Sequence, residues 1–410
     1  MSTDADIVIA GGGMVGGTLA ALIAAACGDN APRIRVIEPH PFDAAKHNDN
    51  PSFDQRSTAL ALSAVHVLER AKLWQAVHER ACVIDSIHVS DRGHFGSMLM
   101  QAKEDNLPAL GYVVENRHLG HAIMMGQAQF PAVQWQTGRV TAAKVGSDCV
   151  TLQVDEASLT ARLLIVADGA RSALREQLGI RVDHTDYAQR AIIANIATEQ
   201  SHQGRAFERF TDQGPLAMLP LPDAEGWHRS ALVWTLPPQE AEATLALPEE
   251  QFLARLQERF GYRLGKLLKV GERASYPLSR SHACEQVRPR MALVGNAAHA
   301  LHPVAGQGFN LALRDIAVLS DCIARAWQAG DPGSLNALQQ YLDAQLADQQ
   351  RTADFSEGIT RVFTARNPLA SRLRGLGLLA LDVLPALKKT FVRETTGIGK
   401  HHPGWKGKTP

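Results

Sequence analysis

The chain has 410 residues, more than one hydrophobic core ordinarily supports, so two or more domains with room for a buried cofactor are expected. Its formal net charge is zero, with 45% apolar and 20% charged residues, an ordinary globular composition that argues against nucleic acid as the main partner. The five cysteines, Cys27, Cys82, Cys149, Cys284 and Cys322, are odd in number and far apart with no C-x-x-C pair, so they read as reduced thiols of a cytoplasmic protein and imply no metal site.

The first apolar run follows Asp4 and Asp6 and no basic residues, and it is too short to span a bilayer, so it reads as neither leader nor anchor. Residues 7–10 form an apolar strand leading into Gly11-Gly12-Gly13-Met14-Val15-Gly16-Gly17. An alanine-rich helix over 18–27, a second strand over 34–37 and Glu38 follow. Strand, G-x-G-x-x-G, helix, strand and acid in this order are the context that a dinucleotide fingerprint requires. Gly11 makes the tight turn, Gly13 lets the backbone approach a pyrophosphate, Gly16 lets helix and strand pack closely, and Glu38 accepts from ribose hydroxyls.

Residues 52–60 open a helical segment reaching about Leu73, with Arg56 near its start as a phosphate or ring contact, or equally a surface arginine. Residues 84–92 alternate as a strand, 110–114 form another, and a helix beginning at Glu115 carries Arg117 as a second candidate contact. The continuous apolar run 163–167 reads as a fully buried parallel strand. It ends in Asp168-Gly169-Ala170-Arg171-Ser172, which puts an acid at the strand edge where ligands of open α/β sheets bind and a hydroxyl where a helix N-cap is wanted. From 191 to about 276 the texture becomes alternating and proline-containing, an antiparallel sheet in which Trp227 and Trp234 are expected to pack.

Residues 291–294 are a short buried strand stopping at Gly295-Asn296. A loop through His302 and Pro303 follows, then Gly306-Gln307-Gly308-Phe309-Asn310 and a helical apolar pattern. Strand, loop, glycine pair and helix start together aim backbone N–H groups at an electron-rich ligand.

Fingerprint, Asp168-Gly169 turn and closing glycine loop occur in the order that resembles the flavoprotein aromatic hydroxylases of the para-hydroxybenzoate hydroxylase fold, over nearly the whole chain. Phe53-Asp54-Gln55-Arg56 with Ala59-Leu60, the stretch 87–96, Leu110-Gly111-Tyr112-Val113-Val114 and the stretch 293–315 resemble the ubiquinone-biosynthesis branch of that family. The resemblance implies an α/β fold: a Rossmann-like FAD-binding domain (1–82, 113–185 and 280–335), an inserted antiparallel-sheet substrate domain (83–112 and 186–279), and a C-terminal helical region (336–410). It implies that Gly11, Gly13, Met14, Val15, Gly16, Glu38, Arg56, Arg117, Asp168, Gly295, Asn296, Gly306, Gln307, Gly308, Phe309 and Asn310 surround FAD. NAD(P)H would visit transiently without a second Rossmann domain. The implied reaction is hydroxylation of the ring of a polyprenylated phenol by O₂, a 2-polyprenyl-6-methoxyphenol becoming the 1,4-benzoquinol, through a flavin C4a-hydroperoxide.

Two positions depart from the broad family: Asn296 replaces an aspartate and His302 replaces an asparagine before Pro303, both as in the methoxyphenol-hydroxylating branch. His302 is the candidate proton handler beside Pro303, since a histidine titrates in the range that phenol chemistry needs; it equally suits a histidine that only hydrogen-bonds its loop. A flavin-dependent prenyl reductase and an FAD-bound assembly subunit are the alternatives, and neither would hydroxylate a phenol when O₂ is admitted.

Between 361 and 410 there are ten Lys or Arg against only Asp382 and Glu394, with apolar residues at helical spacing from Leu369 to Phe391. This pattern suits peripheral docking on an anionic membrane, where a prenylated substrate resides, or a helix packed on the catalytic body or on a partner enzyme of the same pathway.

Overall fold

In a computed structural model, the described residues are 3–40, 56–93, 96–301, 306–364 (side chains to 358) and positions 388–389, 392–393 and 396–397. Ala5–Ala10, buried at every position, is the centre of the first sheet. It lies parallel between Ile34–Glu38 and Ala157–Val166, with Ile7 beside both Ile34 and Leu163. Val133–Thr137 extends the parallel array on one side and Met291–Leu293 on the other. Such strands need cover on both faces, which explains their continuous apolar runs. Helices Met14–Cys27 and Gln307–Gln328 pack together on one face, and Leu335–Thr364 packs on the second of these.

The second sheet follows the order His299–Ala300, Ala274–Ala283, Val182–Thr198, Trp227–Leu236, Pro215–Ala224, Arg205–Phe210, Ser86–Asp91, Ser97–Gln101, with Leu267–Val270 also on Val182–Thr198. All its pairings are antiparallel except that of Arg205–Phe210 with Ser86–Asp91. Strict alternation divides its side chains. Ile192, Ala194, Leu232, Trp234, Leu216, Met218 and Phe207 meet helix residues such as Phe252, Leu256 and Phe260 in one core. Ala191, Ile193, Val233, Thr235, Ala217 and Leu219 face the opposite way, into a cavity. A third, three-stranded sheet, Ser57–Ala61, Gly111–Glu115 and Cys82–Ile84, stands beside that cavity.

Several elements differ from the sequence expectation. Residues 57–61 are a strand paired with Gly111–Glu115, and the helix starts only at Leu62, because main-chain pairing across the sheet overrides a weak local preference. Helices Pro238–Leu245 and Glu249–Phe260 interrupt the stretch expected to be all sheet. Their prolines at or just before the first turn, followed by glutamates, are helix-start signals that the alternation of their surroundings obscured. Trp234 is fully buried in the core, whereas Trp227 is 40% exposed at the start of its strand. All five cysteines are unpaired.

Candidate active site

Four parallel strands bring their carboxyl ends to one edge, delivering Gly11–Gly13, Glu38, the Asp168–Gly169 turn and Gly295 to the same place. This is where open α/β sheets hold ligands. Gly11 has φ +106°, and an added Cβ would lie 2.5 Å from the Ala167 carbonyl oxygen, so no other residue fits between the two strand ends. Gly16 meets the Gly11 carbonyl still more closely: a Cβ there would be 2.0 Å from that oxygen. Helix Met14–Cys27 therefore lies against the turn. Its N-cap, Gly13, contributes no side-chain hydrogen bond, and its first turn carries no acid, so its positive end faces the cleft without a capping side chain.

Glu38 is buried at the end of its strand; its Oε2 accepts the Gly12 N–H at 2.7 Å and its Oε1 the His40 N–H at 3.1 Å. The carboxylate is thus fixed in place, with lone pairs remaining for hydroxyl donors.

The second glycine segment arrives from the other end of the chain. Gly295, at φ +60°, sits against the first turn of helix Met14–Cys27, where an added Cβ would be 3.1 Å from a Val15 methyl. Asn296 is exposed in the cleft, and its carboxamide has no partner among the described residues. Arg175, which sequence reading missed, ties this turn to the Asp168 loop. Its guanidinium donates to the Ala297 carbonyl at 2.8 Å and to the Ala170 carbonyl at 2.9 Å, while its N–H is capped by Ser172 Oγ at 3.0 Å. Burial pushes the Asp168 carboxyl above its ordinary range, against the opposing pull of the Ser172 hydroxyl.

Helix Gln307–Gln328 begins at Gln307, with Gly306 as a left-handed N-cap that brings no side-chain bond and no acid in the first turn. Gly306, Gly308 and Phe309 line the cavity. Gln307 is 2% exposed, and Asn310 spends its carboxamide on structure, bonding Ala59, Ala61 and Gly306. Behind this helix start, buried His299 Nε2 meets Asp315 Oδ2 at 2.5 Å.

Arg56 lines the cavity with its guanidinium over the Tyr276 ring, 4.7 Å from the centroid. Arg117 does not line it. Its guanidinium bonds both oxygens of Glu115 at 3.2 Å, and Asn195, His118 and Arg229 converge on the same carboxylate. Burial alone would raise Glu115; the hydrogen bond from His118 and the charges of Arg117 and Arg229 outweigh it and bring the carboxyl down to about 2. His302 and Pro303 lie outside the described residues, as do residues 53–55 and most of the basic C-terminal region.

Glycine turns, both helix N-termini and the inner face of the second sheet enclose one cavity of ≈ 660 Å³. That is the size of a cofactor or drug-sized ligand site. One end is backbone N–H and glycine; the other is Ile87, Val89, Met98, Met100, Leu110 and Phe210. Two uncapped helix ends suit anionic groups, Glu38 suits vicinal hydroxyls and the apolar end suits a ring, so the residues present fit FAD.

The family described as FAD binding domain matches residues 4–356. The chain is 37% identical to the ubiquinone hydroxylase UbiL of Rhodospirillum rubrum over 97% of its own length and 91% of that protein. It is 32% identical to the 3-demethoxyubiquinol 3-hydroxylase of Escherichia coli over 96% of this chain and 98% of that one. In fold it is similar to the p-nitrophenol 4-monooxygenase PnpA of Pseudomonas putida, with TM-score 0.77 at 20% identity, covering 97% of this chain and 99% of that one.

Proposed function

Because the chain belongs to the FAD binding domain family and to its ubiquinone-biosynthesis hydroxylases, it is an FAD-dependent monooxygenase using NAD(P)H, and we propose that it hydroxylates a polyprenylated methoxyphenol to the 1,4-benzoquinol. The observation that carries the substrate reading is the apolar end of the cavity, built from Ile87, Val89, Met98, Met100, Leu110 and Phe210, which suits a phenol bearing a hydrocarbon chain.

Bound FAD supplies the activation of O₂ with two electrons from NAD(P)H. The chain's residues bind and orient. The N–H groups at Gly13, Met14 and Val15 would hold the diphosphate, worth about 0.3–1 kcal/mol per exposed helix end and up to about 2 when partly buried. Glu38 would accept from the ribose, and Asn296 would hydrogen-bond the sugar chain. Gly306 to Phe309 would present a second positive helix end to the ring. Arg56, held over Tyr276, would border it. The inner face of the antiparallel sheet would receive the phenol and exclude water. We assign the cofactor to the parallel-sheet body and the substrate to the antiparallel sheet.

No helix among the described residues is long and apolar enough to cross a membrane. In the C-terminal region, Lys388 pairs with Glu104 at 2.8 Å and Val392 is buried in the same apolar cluster as Met98 and Met100, which supports packing of this segment on the catalytic body. Liposome co-sedimentation of the chain with and without residues after 366 measures whether it also holds lipid; equal binding by both forms removes a membrane role for the tail.

The function is tested by supplying the FAD-loaded protein with NAD(P)H, ¹⁸O₂ and a short-chain 2-prenyl-6-methoxyphenol. A product with one labelled oxygen on the ring is expected. NAD(P)H oxidation without incorporation across such phenols overturns the substrate reading.

A further inference from the structure

Strand Arg205–Phe210 carries charged and apolar residues on both of its faces, and packing sorts them. Phe207 joins the helix-covered core, and Arg209 bonds the Arg259 carbonyl at 2.9 Å and Ser90 Oγ at 3.2 Å. Ala206, Glu208 and Phe210 on the other face line the cavity, which Phe207 also borders. Glu208 is the only acidic residue among the described cavity-lining residues, and its flanking neighbours in register, Val89 and Ala217, are apolar. Its carboxylate makes no hydrogen bond or ion pair among the described residues.

An unpaired carboxylate in an apolar wall costs stability, so the fold gains nothing from it. We propose that Glu208 is a catalytic residue: it accepts the proton of the substrate's ring hydroxyl. This rests on the phenol reading above. As the phenol O–H bond breaks, a new O–H bond forms on the Glu208 carboxylate and the electron pair stays on the ring oxygen. The net charge of the pair is unchanged, and the ring becomes more electron-rich at the carbons ortho and para to that oxygen, where an oxygen atom is to be accepted. The proton returns to the ring oxygen afterwards.

Burial pushes the Glu208 carboxyl up to about 7, toward the roughly 10 of a phenol and into the range where a base works best at neutral pH. Among the described residues, the other titratable groups lining the cavity are Arg56 and Tyr276, stacked on each other. On the adjacent strand, His88 lies on the opposite face beside Phe207, and Asp91, in register with Phe210, is buried with a partner of its own. No titratable side chain of Ser97–Gln101, Pro215–Ala224 or Trp227–Leu236 lines the cavity.

The test uses the FAD-loaded full chain and its Glu208→Gln and Glu208→Asp variants, with flavin content reporting the fold. Glu208→Gln is expected to lower kcat by about 10²–10⁴-fold with KM within about threefold, and to remove the limb of the pH profile near 7. Glu208→Asp recovers part of the rate and carries the test if the glutamine variant fails to hold flavin. Independently of turnover, a nitrophenol bound to wild type near pH 7 should show its phenolate absorbance together with a protonated-carboxyl infrared stretch, and Glu208→Gln should lose both. Unchanged kcat and pH profile, a rise in KM alone, or an unchanged phenolate band overturns the proposal. Failure of wild type to hydroxylate any prenylphenol overturns the function reading instead, while the nitrophenol spectra still decide on Glu208.

Discussion

Asn310 holds Ala61 across 249 residues of sequence: its Oδ1 accepts the Ala61 N–H at 2.9 Å, while its Nδ2 donates to the Ala59 carbonyl at 2.9 Å and to Gly306 at 2.7 Å. This side chain, which also lines the cavity, fastens the start of helix Gln307–Gln328 to a strand of the three-stranded sheet. Asn310→Ala leaves the buried Ala61 N–H unpaired, costing about 1–3 kcal/mol, and frees the part-buried Ala59 and Gly306 carbonyls at a smaller cost, so a total loss of roughly 2–4 kcal/mol is expected in urea unfolding. FAD affinity should fall with it. Unfolding and affinity both equal to wild type would mean that the Gly306 turn holds itself.

Gly295→Ala places a methyl 3.1 Å from Val15 and forces alanine into φ +60°. The left-handed conformation alone costs about 1–2 kcal/mol, and FAD binding measured by flavin fluorescence should weaken roughly tenfold or more. Adding Val15→Ala removes the two methyl contacts but leaves Val15 Cβ at 3.3 Å and the strained backbone, so the double variant should recover only part of the loss. A double variant no better than the single one would remove the packing half of this account.

Glu115 joins the helix Asn116–Gly126 to Asn195 and Arg229 of the large sheet. Its carboxyl stands at about 2 in the folded chain. A depressed folded-state value contributes stability above the unfolded value near 4.5, and this contribution is lost as pH falls from there toward 2. At about 1.36 kcal/mol per unit this amounts to roughly 3 kcal/mol. Glu115→Gln should therefore destabilise strongly at pH 7, and the gap from wild type should narrow below about pH 4.5 and close near pH 2 in denaturant titrations. A gap that is constant with pH would assign the effect to lost packing.

Glu208 has the opposite sign. Its folded value near 7 lies above the unfolded 4.5, so both states are protonated at low pH, and stability declines as pH rises between the two values. Above that window Glu208→Gln should be more stable than wild type, by at most about 3 kcal/mol less the share that water in the cavity screens. At pH 4 the two should melt together. A glutamine variant that melts lower at pH 8 would show that the carboxylate is stabilised by its surroundings.

The sequence by itself determined the first nucleotide-binding unit. Gly11, Gly13, Gly16 and Glu38 occupy one strand–turn–helix–strand unit of about 30 residues, and local geometry alone dictates a glycine where strand ends crowd and an acid where the next strand stops. The apolar runs near 163 and 291 were legible as buried strands for the same reason. Tertiary structure decided everything that joins distant segments. Arg175 acts by bonding a carbonyl 122 positions away, and Asn310 by pairing with a strand no local pattern identified. Arg117 is drawn to Glu115, and Glu208 faces the cavity only because two helices cover the other side of its sheet. Alternation along a strand separates two faces but does not say which one will be covered; that depends on what packs there.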